Sequence, residues 1–215
     1  MSQPQTMNFQ DMFLRSRKTI LEMLKSRGYN VQPYLKLDGV ELLKLATGSP
    51  EAIKMELEHT EDSERKAIVK YSFTRIKQSL GKEIGQFVEP DSDNYIDVSK
   101  TELIYILMEE VADTFHAAAM EAWLTHQLKI QFFWMPTLVV NPMTYVYQPK
   151  FRILPADEHE NFMKKHYIRS KAQLPSIRFH ADMVARYLGL VPKDIVEITR
   201  SSPASGEYIL YRICI

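Results

Sequence analysis

Apolar side chains recur near a 3.6-residue period from residue 7 to residue 27. Phe9, Phe13, Ile20, Leu21 and Leu24 fall near one face, and Arg15, Lys18, Glu22 and Lys25 near another. This predicts an amphipathic helix that Gly28 stops as a C-terminal cap, its basic face reading as a solvated surface. Residues 39–58 also read as helical, divided in two at Gly48-Ser49-Pro50, with Ser49 as N-cap and Pro50 in the first turn of the second helix. The polar run from Glu58 to Glu64 is a loop. Lys66 to Phe73 then alternates as a strand does, residues 75–88 are expected to be helical despite Gly81 and Gly85, and Glu102 to Met108 is a second apolar strand. Residues 111–127, with Ala117, Ala118, Ala119, Met120, Trp123 and Leu124, predict a helix, and Ile130 to Met135 a third strand. The order strand, helix, strand, helix, strand implies an α/β layer with at least partly parallel pairing.

Pro136, Pro142, Pro149 and Pro155 then punctuate the chain, each removing a backbone donor and disfavouring helix. A domain boundary is expected near Asn141-Pro142, giving an N-terminal domain of residues 1–141 and a C-terminal domain of residues 142–215. In the second, Asp157 to Tyr167 and Ala181 to Leu188 read as short helices, with Asp182 near the positive end of the latter and Gly189 as its cap. Pro192-Lys193-Asp194 is a turn. Ile195 to Arg200 and Glu207 to Ile213 form a hairpin across the loop Ser201 to Gly206, so this domain is expected to be small and mixed α+β.

Composition, with 45% hydrophobic and 25% charged residues, is that of a globular chain and argues against disorder or a fibrous repeat. The net charge is zero but unevenly divided: residues 1–141 hold 16 Lys and Arg against 20 Asp and Glu, and residues 142–215 hold 11 against 7. That asymmetry falls well short of the dense basic patch of a protein that grips nucleic acid alone. Cys214 is the only cysteine, so no internal disulfide or Cys-rich zinc site can form. No apolar stretch approaches membrane-spanning length, and the polar start Met1-Ser2-Gln3-Pro4-Gln5 lacks a signal peptide's regions. No membrane partner is expected.

Candidate chemistry is sparse. Asp91-Ser92-Asp93-Asn94-Tyr95-Ile96-Asp97, followed by Glu102, imitates part of a calcium loop, but Tyr95 and Ile96 stand where a short oxygen ligand and the turning glycine belong. It reads as a polar turn before a strand. Glu64-Arg65-Lys66, with Glu51 upstream, resembles the acid-and-lysine pattern of magnesium nucleases, in which carboxylates hold a metal and lysine stabilises developing charge. A metal-dependent nuclease using Glu51, Glu64 and Lys66 is therefore the alternative function, weighed against a solvated charge run. Gln131-Phe132-Phe133-Trp134 reads as a buried strand more readily than as a stacking platform for single-stranded nucleic acid. No phosphate-binding glycine loop, G-x-S-x-G, dinucleotide fingerprint or metal-ligating histidine spacing occurs, and no cofactor is expected.

Four blocks near the end are more specific: Gln173-Leu174-Pro175-Ser176-Ile177, Val184-Ala185-Arg186-Tyr187-Leu188-Gly189, Asp194 to Arg200, and Gly206-Glu207-Tyr208-Ile209-Leu210-Tyr211-Arg212. In this order they resemble the assembly domain of the shared fifth subunit of eukaryotic nuclear RNA polymerases, a domain that archaeal polymerases carry alone as their H polypeptide. Three positions depart from the family pattern: Ser176 and Glu207, where arginine is usual or common, and Met183, where proline is usual. Arg17-Lys18-Thr19-Ile20 with Arg27-Gly28-Tyr29 resembles the first helix of the eukaryotic two-domain form, while from Val31 to Thr137 only the order of elements agrees.

The resemblance implies an α/β N-terminal domain with a nuclease-like jaw fold but no nuclease activity, joined to a mixed α+β assembly domain. It implies a non-catalytic subunit of a DNA-directed RNA polymerase that docks on the largest subunit, among other polymerase subunits, and contributes to the lower jaw near downstream duplex DNA. Such a subunit acts in the nucleus of a eukaryote or, for a large DNA virus, in the virion or infected-cell cytoplasm. Residues suited to the docking face are Arg186, Tyr187, Arg200, Tyr208, Tyr211 and Arg212, because arginine and tyrosine join apolar area to polar pairing. Near DNA the family places small hydroxylic residues, and the matching stretch Glu109-Glu110-Val111-Ala112-Asp113-Thr114 is acidic. Contact is thus expected to fall to Arg75 and Lys77, with Thr114 close by, and to be weak for the chain alone.

Overall fold

The computed structural model describes residues 8–36, 39–92, 94–204 and 206–215. The chain divides into two compact units, Met1–Asn141 and Pro142–Ile215. Among the described residues, no helix is long and apolar enough to cross a membrane.

The first unit opens with helix α1 (Phe9–Ser26), started by Asn8, whose side chain accepts from the Gln10 amide. Its buried stripe contains Phe13, Ile20 and Leu24, each without exposed surface. Gly28, at φ 90°, ends the helix, and a Cβ there would meet the His59 ring at 2.5 Å, so both the backbone angle and the close approach require glycine. Two further helices follow, α2 (Gln32–Leu35) and α3 (Gly39–Gly48). Ser49 then caps a single 3-10 turn, Pro50–Ile53, in place of the expected second α-helix. Beyond it, Met55–Glu58 is a strand, β1, where helix was expected. Its alternation decides the matter, with Met55 and Leu57 buried and Glu56 and Glu58 facing out.

Strands β2 (Lys66–Ser72), β3 (Thr101–Leu107) and β4 (Ile130–Trp134) pair in parallel, with β1 antiparallel at the β2 edge, in the order β1-β2-β3-β4. Helix α4 (Leu80–Val88) joins β2 to β3, and α5 (Asp113–His126) joins β3 to β4. Alternation along the strands assigns two faces. Tyr71 meets Phe13 of α1 on one, whereas Lys70 lies over Phe87 of α4 and Phe132 packs on Phe115 of α5 on the other. Every residue of β3 is buried, as a central strand between two helical layers requires.

The second unit carries a sheet ordered β5-β7-β8-β6, from strands β5 (Lys150–Leu154), β6 (Ser176–Ile177), β7 (Ile195–Ser202) and β8 (Gly206–Cys214). Both β5 and β6 were unexpected. Helix α6 (Glu158–Lys165) packs Phe162 on Leu154, Ile195 and Ile213. Helix α7 (Met183–Leu188) is started by Asp182, whose Oδ1 accepts from the Val184 and Ala185 amides at 2.8 and 3.0 Å, and is closed by Gly189 at φ 72°.

Candidate subunit interface

Because β7 and β8 pair antiparallel, residues that face each other share a side of the sheet. Glu197 opposes Tyr211 and Ile195 opposes Ile213, and this side lies under α6. Val196 opposes Arg212, Ile198 opposes Leu210, and Arg200 opposes Tyr208 on the other side. β5 continues that second side, since Phe151 opposes Ile198.

The second side is concave. A hollow of about 440 Å³ is lined by Phe151, Ile177, Arg178, Ile198, Arg200 and Arg212, with Asp182 and Val184 contributed by the start of α7. It has an apolar floor and three guanidinium groups around it. Arg212 is fixed there, donating to the Ser176 carbonyl at 2.8 Å. That bond uses backbone, so it is indifferent to serine standing at position 176. Met183 is likewise accommodated, because Asp182 holds the first amides of α7 without the help of a proline. A neighbouring hollow joins Arg200 and Glu207 to Val146 and Tyr147. Tyr145, Val146 and Tyr147 are 63%, 88% and 84% exposed, an apolar surface of the kind that marks association sites.

The six expected docking residues therefore separate. Arg200, Tyr208 and Arg212 share the concave side, and Tyr208 is exposed. Tyr187 is only 4% exposed and belongs to the core, because the short α7 turns that position inward beside Ala185. Arg186 is half-buried, with Nη2 3.8 Å from Met183 Sδ, and burial pulls its guanidinium below the ordinary value. Tyr211 lies on the α6 side. Its ring packs 4.4 Å from Phe162 and 5.3 Å from His166, and its hydroxyl donates to Glu197 at 3.0 Å. Burial and then that bond push the Tyr211 hydroxyl up, while Arg152 above all holds Glu197 below the usual carboxylate range. Sequence reading missed Phe151, Arg178 and the Tyr145 to Tyr147 patch; the run Tyr-Val-Tyr in a proline-flanked segment was the available signal.

In the first unit, Arg75 and Lys77 are exposed in the segment after β2, and Thr114 is exposed at the start of α5. These segments follow the carboxyl ends of neighbouring parallel strands, and Glu109 joins them by accepting from the Ile76 amide at 2.8 Å. One of the three carboxylates expected to repel phosphate is thus committed to backbone.

Glu51, Glu64 and Lys66 are not gathered. Glu51 pairs with Lys70 at 3.3 Å and Glu64 pairs with Lys100. Lys66 and Lys70 are four strand residues apart, roughly 13 Å. Among the described residues, no three His, Cys, Asp or Glu side chains assemble as metal ligands. Asp93 of the calcium-like run lies outside the described residues; Asp97 accepts from the Ser99 amide and hydroxyl at 3.1 and 2.6 Å. Glu102 from the same pattern is buried and pairs with Arg27 and Lys129. Gln131, Phe132 and Phe133 are all buried, which removes the stacking platform.

The model for the RNA polymerase Rpb5 C-terminal domain matches residues 140–214, a span that contains the whole concave sheet. Over 204 residues the chain is 27% identical to DNA-directed RNA polymerase V subunit 5C of Arabidopsis thaliana, covering 94% of this chain and 84% of that one. It is 26% identical over 212 residues to the DNA-directed RNA polymerases I, II, and III subunit rpabc1 of Dictyostelium discoideum, covering 94% and 96%. DNA-directed RNA polymerase subunit Rpo5 of Thermococcus kodakarensis is 40% identical over 75 residues, which are 35% of this chain and 89% of the archaeal protein. The archaeal similarity, nearly complete for that protein and concentrated in one unit, together with two relatives matched over almost the full length, shows that the chain belongs to the RNA polymerase subunit 5 family.

Proposed function

We propose that this chain is a non-catalytic structural subunit of a multisubunit DNA-directed RNA polymerase, docking on the largest subunit through the concave side of its C-terminal sheet. The carrying observation is the joining of Arg178, Arg200 and Arg212 around an apolar floor of Phe151 and Ile198, next to exposed Val146 and Tyr147. An apolar centre with a cationic rim suits a permanent partner that presents apolar side chains framed by carboxylates. Tyr208 extends this face, whereas Tyr187, Tyr211 and the α6 side serve its internal packing.

In this reading the N-terminal unit, whose mixed sheet lies between helices, plays the nuclease-like jaw role without nuclease chemistry. The segments bearing Arg75, Lys77 and Thr114 are turned to downstream duplex DNA. The eukaryotic relatives favour action in the nucleus over a viral setting.

The test is charge reversal on the concave face. The full chain carrying R178E and R200E should keep its far-UV circular dichroism and lose co-elution with the largest subunit. Reversal of Lys164 and Lys165 on α6 should leave co-elution intact. Loss with the α6 pair and retention with the arginine pair would refute the docking face.

A further inference from the structure

Helix α1 buries two arginines, and they are treated differently. Arg27 is matched by Glu102 at 3.0 Å. Arg17, 3% exposed, is matched by nothing of opposite charge among the described residues: its Nε and Nη1 are buried and make no hydrogen bond. Its neighbours are the face of Tyr34, with the guanidinium carbon 5.9 Å from the ring centroid, and the buried Tyr71 hydroxyl. Burial, with Arg17 opposing it, pushes that hydroxyl up to about 12, so it carries no negative charge at neutral pH. A buried guanidinium with only an aromatic face and a neutral hydroxyl for company is incompletely compensated.

Arg17 also lines a groove. This hollow of about 390 Å³ lies between α1, α2 and α3, with apolar walls that include Leu14, Leu21, Leu42 and the Tyr34 ring. Tyr34 is held firmly, its hydroxyl donating to the Glu56 carbonyl at 2.8 Å and accepting from the Glu56 amide at 2.9 Å. Lys18 and Lys25 stand on the same lining. The acidic lining residue, Glu22, already accepts from Asn141 at 2.8 Å. The groove therefore offers apolar walls, two lysines and one buried guanidinium. Residues 1–7, Met-Ser-Gln-Pro-Gln-Thr-Met, contain no acidic side chain to answer it.

We infer that this groove receives a short segment of a partner protein in which an acidic side chain is flanked by apolar ones, its carboxylate reaching Arg17. The apolar side chains fill the walls, the carboxylate supplies the missing charge, and Lys18 and Lys25 draw the segment in. The site lies in the N-terminal unit and is independent of the assembly face on the C-terminal sheet.

The test uses the full chain and the peptide acetyl-Leu-Leu-Asp-Leu-Leu-amide, with its Asn counterpart as control, followed by the nitrogen-15 signals of Arg17 Nε and of the α1 amides. The Asp peptide should shift these signals saturably and bind at least about tenfold more tightly than the Asn peptide, as a charge-assisted hydrogen bond requires. Arg17→Met should fold with an unchanged or raised melting temperature and lose the preference for Asp. Lys18→Glu, on the rim, should weaken binding while leaving the fold intact. Equal binding of the two peptides, undiminished binding to Arg17→Met, or a large fall in that variant's melting temperature would each overturn the inference, the last by showing that Arg17 serves the core.

Discussion

Arg27 Nη1 lies 3.0 Å from Glu102 Oε1, joining the end of α1 to the start of the central strand across 75 positions of sequence. Both side chains are almost fully buried, Lys129 reaches the second Glu102 oxygen at 2.6 Å, and Arg27 Nη2 donates to Gln131 at 2.8 Å. This polar cluster fixes α1 against β3 and β4, and with it one helical layer of the N-terminal unit.

Glu102→Gln should destabilise the chain by about 3–5 kcal/mol, because Arg27 and Lys129 would keep their desolvation and lose their counter-charge. Burial alone would raise the Glu102 carboxyl, but Arg27 and Lys129 win and hold it at about 2, against an ordinary 4.5. Its folded pKa is depressed, so its stabilising contribution is complete above about 4.5 and fades as pH falls towards about 2. Urea unfolding of the wild type should show this loss over that window. In Glu102→Gln that component of the pH dependence should be gone; identical acid profiles would contradict the assignment.

A fragment beginning at Pro142 should fold alone, since its sheet is closed by α6 on one side and its connections lie within 74 residues. Dispersed amide resonances and a cooperative melt are expected, together with retained binding to the largest subunit. An unfolded fragment would show that the two units depend on each other for stability.

Binding of duplex DNA by the full chain should be weak and strongly salt-dependent. Arg75→Glu with Lys77→Glu should reduce it further and flatten the salt slope by about two, one for each phosphate that is no longer neutralised. Thr114→Ala should change little. Tight binding that survives high salt would mean that a different surface holds the DNA.

No cleavage of DNA or RNA is expected with magnesium or manganese, because Glu51, Glu64 and Lys66 are spread along β2 and neutralised in separate pairs. Metal-dependent cleavage that disappears in Lys66→Ala would reverse this conclusion.

The parallel core was legible in sequence because β2, β3 and β4 are apolar runs with intervening helices, and α1 because its period persists over five turns. β1 was lost in a helical reading: four residues are too few to display period two against the helical signal before them, although Met55-Glu56-Leu57-Glu58 alternates cleanly in the structure. β5 follows Pro149 directly and was read as loop. The concave face was only half legible. Arg200, Tyr208 and Arg212 share one hairpin, but Phe151 joins them only through its register opposite Ile198, and Arg178 through the short β6 beside β8. The sides chosen by Tyr187 and Tyr211 were open in sequence, since tyrosine suits core and interface equally, and packing settles them.

The most direct test of the central claim is native purification of the epitope-tagged full chain, followed by gel filtration and quantitation of the bound proteins. Elution with the largest polymerase subunits in matched amounts is the expected result. Recovery of the chain mainly as a free 25.1 kDa protein, with no polymerase subunit at comparable yield, would contradict it.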